Sequence, residues 1–338
     1  MRKHVKRNSI SAIILAFFCS LVIVCSSCFG TPPAKDQTDD IPSDTATDRT
    51  DTDETDGENG DPSEVPSESD PDPDSIYPQI TVNQDGVDKI YNGIYTAEQF
   101  MSLSGKGNYI LMDDIDFSGV AYKQIKSFNG LLEGNGYAIK NVVMQAEKKG
   151  IGDGMALFAK CGATLKDISF INIVLNATAD GDCGGTGLIS SYFVGKCERV
   201  YVSGAMHGTC KTLSPKDQSG VTAEGYWAGA LFGYTMNNTL IESVVIDVSL
   251  DVGNNIALAI GIAYYTPVNY FFCVQNGNQH GNPSHGGDCR LMNRENVYLT
   301  SMDRMIEKIG TVFTAPAWDV NVSQVAIMPV SGYLVKSV

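Results

Sequence analysis

Positive charge is thinly spread along this chain. Beyond residue 77 the only arginines are Arg199, Arg290, Arg294 and Arg304. No basic stripe is available to follow a phosphate backbone, which excludes nucleic acid as a partner. Histidines number four, and no His-Glu-x-x-His pair exists to hold a peptidase zinc. A Gly-x-Ser-x-Gly elbow, a phosphate loop and a dinucleotide fingerprint are absent as well. No cofactor is implied. Helical periodicity is nearly missing between residues 105 and 275, and no apolar run reaches the roughly 20 residues of a membrane-spanning helix.

The longest apolar run, Ile10 to Cys25, is 16 residues broken only by Ser11 and Ser20. Arg2, Lys3, His4, Lys6 and Arg7 precede it, the charge order of an export signal. Ser26 and Ser27 then lead to Cys28, in the manner of a lipoprotein processing site. Residues 1–27 therefore read as a signal peptide and Cys28 as the lipidated residue, with a retained N-terminal membrane helix as the alternative. Either reading takes the chain out of the cytoplasm and leaves it on a membrane. Acyl chains anchor stably because each buried methylene contributes about 0.8 kcal/mol.

Residues 29–77 hold sixteen Asp and Glu against Lys35 and Arg49, among Pro, Ser, Thr and Gly. Such a segment cannot bury enough apolar area to offset its chain entropy, and its like charges extend it. It reads as a disordered acidic linker. It also accounts for most of the formal charge of −15, leaving residues 78–338 near −5.

Those 261 residues suffice for one large domain, and they repeat. Apolar triplets align as Ile139/Val142/Met144, Leu165/Ile168/Phe170, Cys197/Val200/Val202, Ile241/Val244/Ile246 and Val268/Phe271/Cys273. Shorter segments fall between them: Ala156–Ala159, Leu188–Ser191, Ala230–Gly233 and Ala259–Ile262. Units of this kind, each unable to bury its own apolar face, stack into a solenoid. The expected fold is all-β: a right-handed parallel β-helix, with an antiparallel sandwich as the competing architecture. The expected organisation is an N-terminal cap over 78–104, rungs over 105–275, and a C-terminal loop, short helix and closing strands over 276–338. Thr96-Ala-Glu-Gln99 is a capping-box pattern for a first helix. A second helix is expected over about 302–309, stopped by Gly310 at the C′ position.

Two stretches carry a family resemblance: Tyr109-Ile-Leu-Met-Asp-Asp114-Ile-Asp116-Phe-Ser and Phe128-Asn-Gly130-Leu-Leu-Glu-Gly-Asn-Gly136-Tyr-Ala-Ile-Lys-Asn-Val142. Ala156-Leu-Phe-Ala and Gly162-Ala-Thr-Leu-Lys-Asp-Ile168 continue them. The pattern resembles the opening of bacterial surface proteins with GLUG-type repeats and covers roughly residues 90–275. It implies a pectate-lyase-like right-handed β-helix on the cell surface. Some members of that group sit beside immunoglobulin-cleaving metallopeptidase domains, but the zinc motif of those enzymes is missing here.

Candidate chemistry is sparse. Asp113, Asp114 and Asp116 form a carboxylate cluster of the kind polysaccharide hydrolases and lyases use. The resemblance, however, implies that these aspartates belong to the first strand and recur as a structural signature, and alternation puts Ile115 and Phe117 on one face and Asp114 and Asp116 on the other. A lyase would also want a base, and Lys123 and Lys126 are the nearest in sequence. His280, His285, Asp288 and Cys289 gather in a glycine-rich stretch without the paired spacing of a zinc site; no metal is expected there. Cys197 and Cys273 fall in apolar rung slots and should be buried, whereas Cys161, Cys183, Cys210 and Cys289 fall in turns or insertions, where disulfides can form.

Aromatics offer the better hint of binding. Tyr192, Tyr201, Tyr234, Tyr264 and Tyr265 recur along the rungs, where packing is the simpler role. Residues 207–229 stretch one rung spacing to 44 and should project as a loop. This loop carries Tyr226 and Trp227, the candidate ligand-binding pair. The expectation is a non-catalytic, surface-anchored binding or adhesion module for a glycan or an extracellular protein, held to the membrane by its lipid. A polysaccharide lyase or glycoside hydrolase on the same scaffold is the alternative.

Overall fold

A computed structural model describes residues 76–149, 154–180, 185–211, 228–236, 238–252, 256–257, 259–263, 265–274 and 291–336. The chain divides into two compact units, 1–67 and 68–338, and every described residue belongs to the second. Cys28 and the linker up to residue 75 lie outside the described residues, as do Tyr226, Trp227, Tyr264, Cys183 and residues 275–290.

The unit opens with the antiparallel hairpin β1 (Gln79–Gln84) and β2 (Val87–Ile94). The helix α1 (Ala97–Met101) follows. Its capping box is formed as the sequence predicts: the Thr96 hydroxyl accepts from the Gln99 N–H, and the Gln99 side chain reaches back to the Thr96 N–H.

Short strands come next: β3 (Asn108–Leu111), β4 (Ile115–Asp116), β5 (Ile125–Phe128), β6 (Leu131–Glu133), β7 (Ala138–Lys140), β8 (Val143–Lys149) and β9 (Phe158–Cys161). Long strands then alternate with short ones. They are β10 (Thr164–Asp180), β11 (Ser190–Phe193), β12 (Lys196–Lys211), β13 (Ala228–Gly229), β14 (Phe232–Thr235), β15 (Leu240–Val252), β16 (Ile256–Ala257), β17 (Ile260–Ala263) and β18 (Thr266–Val274). The chain ends with β19 (Leu291–Met292), β20 (Val297–Thr300), the helix α2 (Met302–Ile309) and the hairpin β21 (Trp318–Asn321) and β22 (Ala326–Pro329).

Two sheets dominate. The larger has 13 strands, parallel except for the opening hairpin, and runs through β3, β6, β10, β12, β15 and β18. The smaller has five parallel strands in the order β17, β14, β11, β9, β5. Parallel pairing between successive repeats excludes the antiparallel sandwich.

Register follows the apolar slots. Leu165, Cys197, Ile241 and Val268 are paired in series, as are Phe170, Val202, Ile246 and Cys273. All eight are buried in one continuous core. The first rung is a correction. Leu132 pairs with Leu165, and Ile139 with Phe170. Met144, expected beneath Phe170, instead pairs with Leu175. The turn at Asn135 and Gly136, both with positive φ, adds two residues between these slots.

Three further expectations are corrected. Cys161 is not in a turn; it ends β9, is buried and is unbridged, and burial pushes its thiol up to about 12. The insertion starts later than residue 207, because β12 continues through Lys211 and β13 resumes at Ala228. Gly310 does close α2, but as its C-cap in a right-handed conformation (φ −61°) rather than as a left-handed C′ residue. Cys197 and Cys273 are buried, as expected.

The outward face of the large sheet is covered by the chain's own C-terminus. Val245, Phe272 and Val274 point out of the core and pack against Met305, Ile309, Phe313 and Trp318. The segment 312–336, here called the strap, also reaches the first rung: the Gly332 N–H donates to the Asn135 carbonyl at 2.8 Å. It fits closely there. A Cβ at Gly136 would lie 1.9 Å from the Val330 carbonyl oxygen, and φ there is +73°.

Candidate functional site

One position per rung carries a polar side chain on the outward face, charged in all but the last. Glu133, Lys166, Glu198, Glu242 and Asn269 are paired in series across β6, β10, β12, β15 and β18. The next residue in four of these rungs is left-handed: Asp167, Arg199, Ser243 and Tyr270, with φ between 47° and 59°. Such a residue bends the strand and re-aims its side chain. It brings Asp167 and Arg199 together across two adjacent strands.

Their contact is bidentate. Arg199 Nε donates to Asp167 Oδ1 at 2.6 Å and Nη2 to Oδ2 at 2.7 Å. This fork geometry is strong and directional. The bond to Asp167 raises the Arg199 pKa further above its ordinary value, against the opposing effect of burial. The strap completes the shell: Trp318 Nε1 donates to Asp167 Oδ1 at 2.9 Å, and the Tyr333 hydroxyl lies 2.9 Å from Asp167 Oδ2. That hydroxyl is also 3.0 Å from Glu133 Oε1, which accepts from the Asn135 N–H at 3.2 Å.

Glu133 and Asp167 are both buried. Burial pushes the Glu133 carboxyl above the usual range, Lys166 opposes this, and Asp167 reinforces it. Burial alone would lower Lys166, but Glu133 and Asp167 outweigh it and hold its pKa up. Lys196 continues the row with contacts to Glu198 at 2.8 Å and Glu242 at 3.1 Å. Two acids, a lysine, an arginine and a tyrosine in one place resemble acid–base machinery. Here they bond one another and Trp318, so the arrangement pins the strap to the sheet.

The acidic cluster expected at the first strand is dispersed into structural roles. Asp113 accepts from the Asp114 N–H at 2.8 Å. Asp114 accepts from the Ala138 N–H at 2.9 Å and pairs with Lys140 rather than with Lys123 or Lys126. Asp116 caps the following turn by accepting from the Ser118 N–H and bonds Asn141 Nδ2 at 2.9 Å. These bonds, Asn141 and Ser118 first, hold its carboxyl below the usual range. Asn172 Nδ2 donates in turn to Asn141 Oδ1 at 2.8 Å, so an amide ladder runs up one corner of the stack. Ile115 and Phe117 are buried opposite, as alternation requires.

Among the repeating tyrosines, Tyr192 and Tyr234 stack on the small sheet with centroids 5.3 Å apart. Tyr201 packs against the outward cluster under α2. Tyr265 is 64% exposed. Among the described residues no group of His, Cys, Asp or Glu is arranged to hold a metal ion. No helix there is long and apolar enough to cross a membrane.

Sequence reasoning missed Glu133, Asp167, Arg199, Trp318 and Tyr333. One signal was present: Asp167 and Arg199 fill the same slot in adjacent repeats, Leu165-Lys-Asp-Ile168 and Cys197-Glu-Arg-Val200, so opposite charges had to meet. Nothing local marks Trp318, which is 151 residues from its aspartate.

No protein-family model matches the chain, and no curated protein does. Among solved structures, a Bacteroides ovatus protein named as a candidate immunoglobulin A1 protease aligns with 71% of this chain and 92% of its own, at 13% identity and a TM-score of 0.35. At that level the likeness carries no argument about fold or activity.

Proposed function

We propose that the chain is a lipid-anchored surface protein that displays a right-handed parallel β-helix of GLUG type as a non-catalytic binding or adhesion module. The anchor is Cys28, and the acidic stretch 29–77 holds the module away from the membrane. The partner is a glycan or an extracellular protein, met by Tyr226 and Trp227 just before β13. One observation supports the non-catalytic reading above others: the acids that gather on the large sheet, Asp114, Asp116, Glu133, Asp167 and Glu198, each bond to the scaffold itself. Rigid scaffolds place binding on their loops, and an exposed tryptophan can dominate a small interface.

The test is a glycan and extracellular-protein binding screen with the soluble chain from residue 78, with Trp227→Ala in parallel. Lost binding at an unchanged melting temperature is the expected result. Product release from any polysaccharide in the screen would instead establish the enzyme reading. For the anchor, Cys28→Ala should free the protein into the medium or leave its precursor in the membrane, and normal lipid labelling of that variant would refute the assignment.

A further inference from the structure

Tyr333 has one hydroxyl hydrogen and two carboxylate neighbours, Asp167 Oδ2 at 2.9 Å and Glu133 Oε1 at 3.0 Å. A phenol has a single O–H to donate, so one of these two contacts is best made with a hydrogen from the other side. Asp167 is a poor source. Its oxygens already accept from both arms of Arg199 and from Trp318, contacts that favour the anion. Glu133 is the better one. It is fully buried, and its Oε2 has no hydrogen-bond donor. Lys166 Nζ stands 3.2 Å from that oxygen as an ion pair, with its side chain partly in solvent.

We propose that Glu133 carries a proton in the folded protein and donates it to Tyr333, which donates to Asp167, and that this chain of hydrogen bonds latches the strap over the sheet. The charged and titratable groups around Glu133 are Lys166 and Asp167 on β10, Tyr91 on β2 and Tyr333 on the strap. Arg199 and Glu198 on β12 stand behind Asp167. Burial acts in the same sense as the geometry, since it raises the pKa of Glu133 more than Lys166 lowers it. The sign of the pH effect follows. A carboxyl whose folded pKa exceeds its unfolded value stabilises the closed state fully below the unfolded value, and that contribution is lost as pH rises from there through the folded value. The latch therefore loosens on the alkaline side. Opening uncovers the apolar outward face at Val245 and Phe272.

Hydrogen exchange of the full chain reads this directly. The amides of Gly332 and Leu334 donate to Asn135 and report the strap, whereas amides of β10 and β12 report the core. With intrinsic rates corrected, strap protection should fall by up to about tenfold per pH unit between the ordinary glutamate value of about 4.3 and the folded pKa of Glu133, and level off above it, while core protection stays level. Glu133→Gln, which keeps a fixed N–H donor, should abolish that slope. Level strap protection in the wild type, or a loss on acidification as an ionised Glu133–Lys166 pair would give, overturns the proposal. So does an unaltered slope in the variant. If Glu133→Gln does not fold, the side-chain carboxyl carbon of Glu133 can be titrated by NMR. A midpoint above the ordinary glutamate value of about 4.3 is required, and one at or below it rejects the latch.

Discussion

The two faces of the large sheet are one residue apart in sequence and are held by different physics. Leu132, Leu165, Cys197, Ile241 and Val268 point inward and are all 0% exposed. Their neighbours Glu133, Lys166, Glu198, Glu242 and Asn269 point outward in matching register. The inward row repeats one type of contact with the next rung, so each slot is stabilised by apolar burial alone. The outward row mixes charges of both signs and is finished by a segment from the other end of the chain. Inside, neighbours in the stack suffice; outside, the fold depends on closure over distances of 151 to 200 residues.

Substitutions on the two faces should separate these regimes, and the largest effect belongs inside. Phe170 sits between Ile139 and Val202, so Phe170→Ala should cost about 3–5 kcal/mol in denaturant unfolding, through lost burial and a cavity. A loss below about 0.5 kcal/mol, the range of an exposed site, would show this register to be wrong. Next comes Asp167→Ala, which strands Arg199 and Trp318 together: about 3 kcal/mol is expected, with the strap released before the core. If strap and core still unfold in one step, the two faces are not independent. Trp318→Phe keeps most of the packing and removes one N–H donor, for about 1–2 kcal/mol by thermal melting. Lys196→Ala is the smallest. Its partners are partly solvated, and a change within about 1 kcal/mol, shrinking further in salt, is expected. A larger, salt-insensitive loss would mean that the outward charges act as a buried network along the whole row.

Particular residues show how far the amino-acid pattern could be read. The slots at 165, 197, 241 and 268 were legible because only residues of one polarity recur there at a spacing that parallel pairing can match. The first rung, aligned on its apolar residues, is out of register by five residues. Both Leu132 and Ile139 are apolar, and only the left-handed turn at Asn135–Gly136 distinguishes their slots. Cys161 falls outside the apolar rung slots in sequence and so is expected in a turn or insertion. In the fold it closes a strand of the small sheet against Phe128 and Phe193. The candidate acids at 114 and 116 bond Lys140 and Asn141 from the next repeat, partners that the local pattern does not mark.

What the sequence alone determined is therefore the repeat: where the rungs from Leu165 onward pass, which of their side chains turn inward, where α1 begins and where α2 ends. These follow from polarity, turn residues and caps, all local signals with a period. The tertiary structure decided the strap, the burial of Glu133 and Asp167, and their shared tyrosine. Those contacts join residues with no common period, and they form because an outward sheet face with apolar Val245 and Phe272 beside a charged row requires a cover supplying both apolar surface and hydrogen-bond donors. Trp318 and Tyr333 supply both.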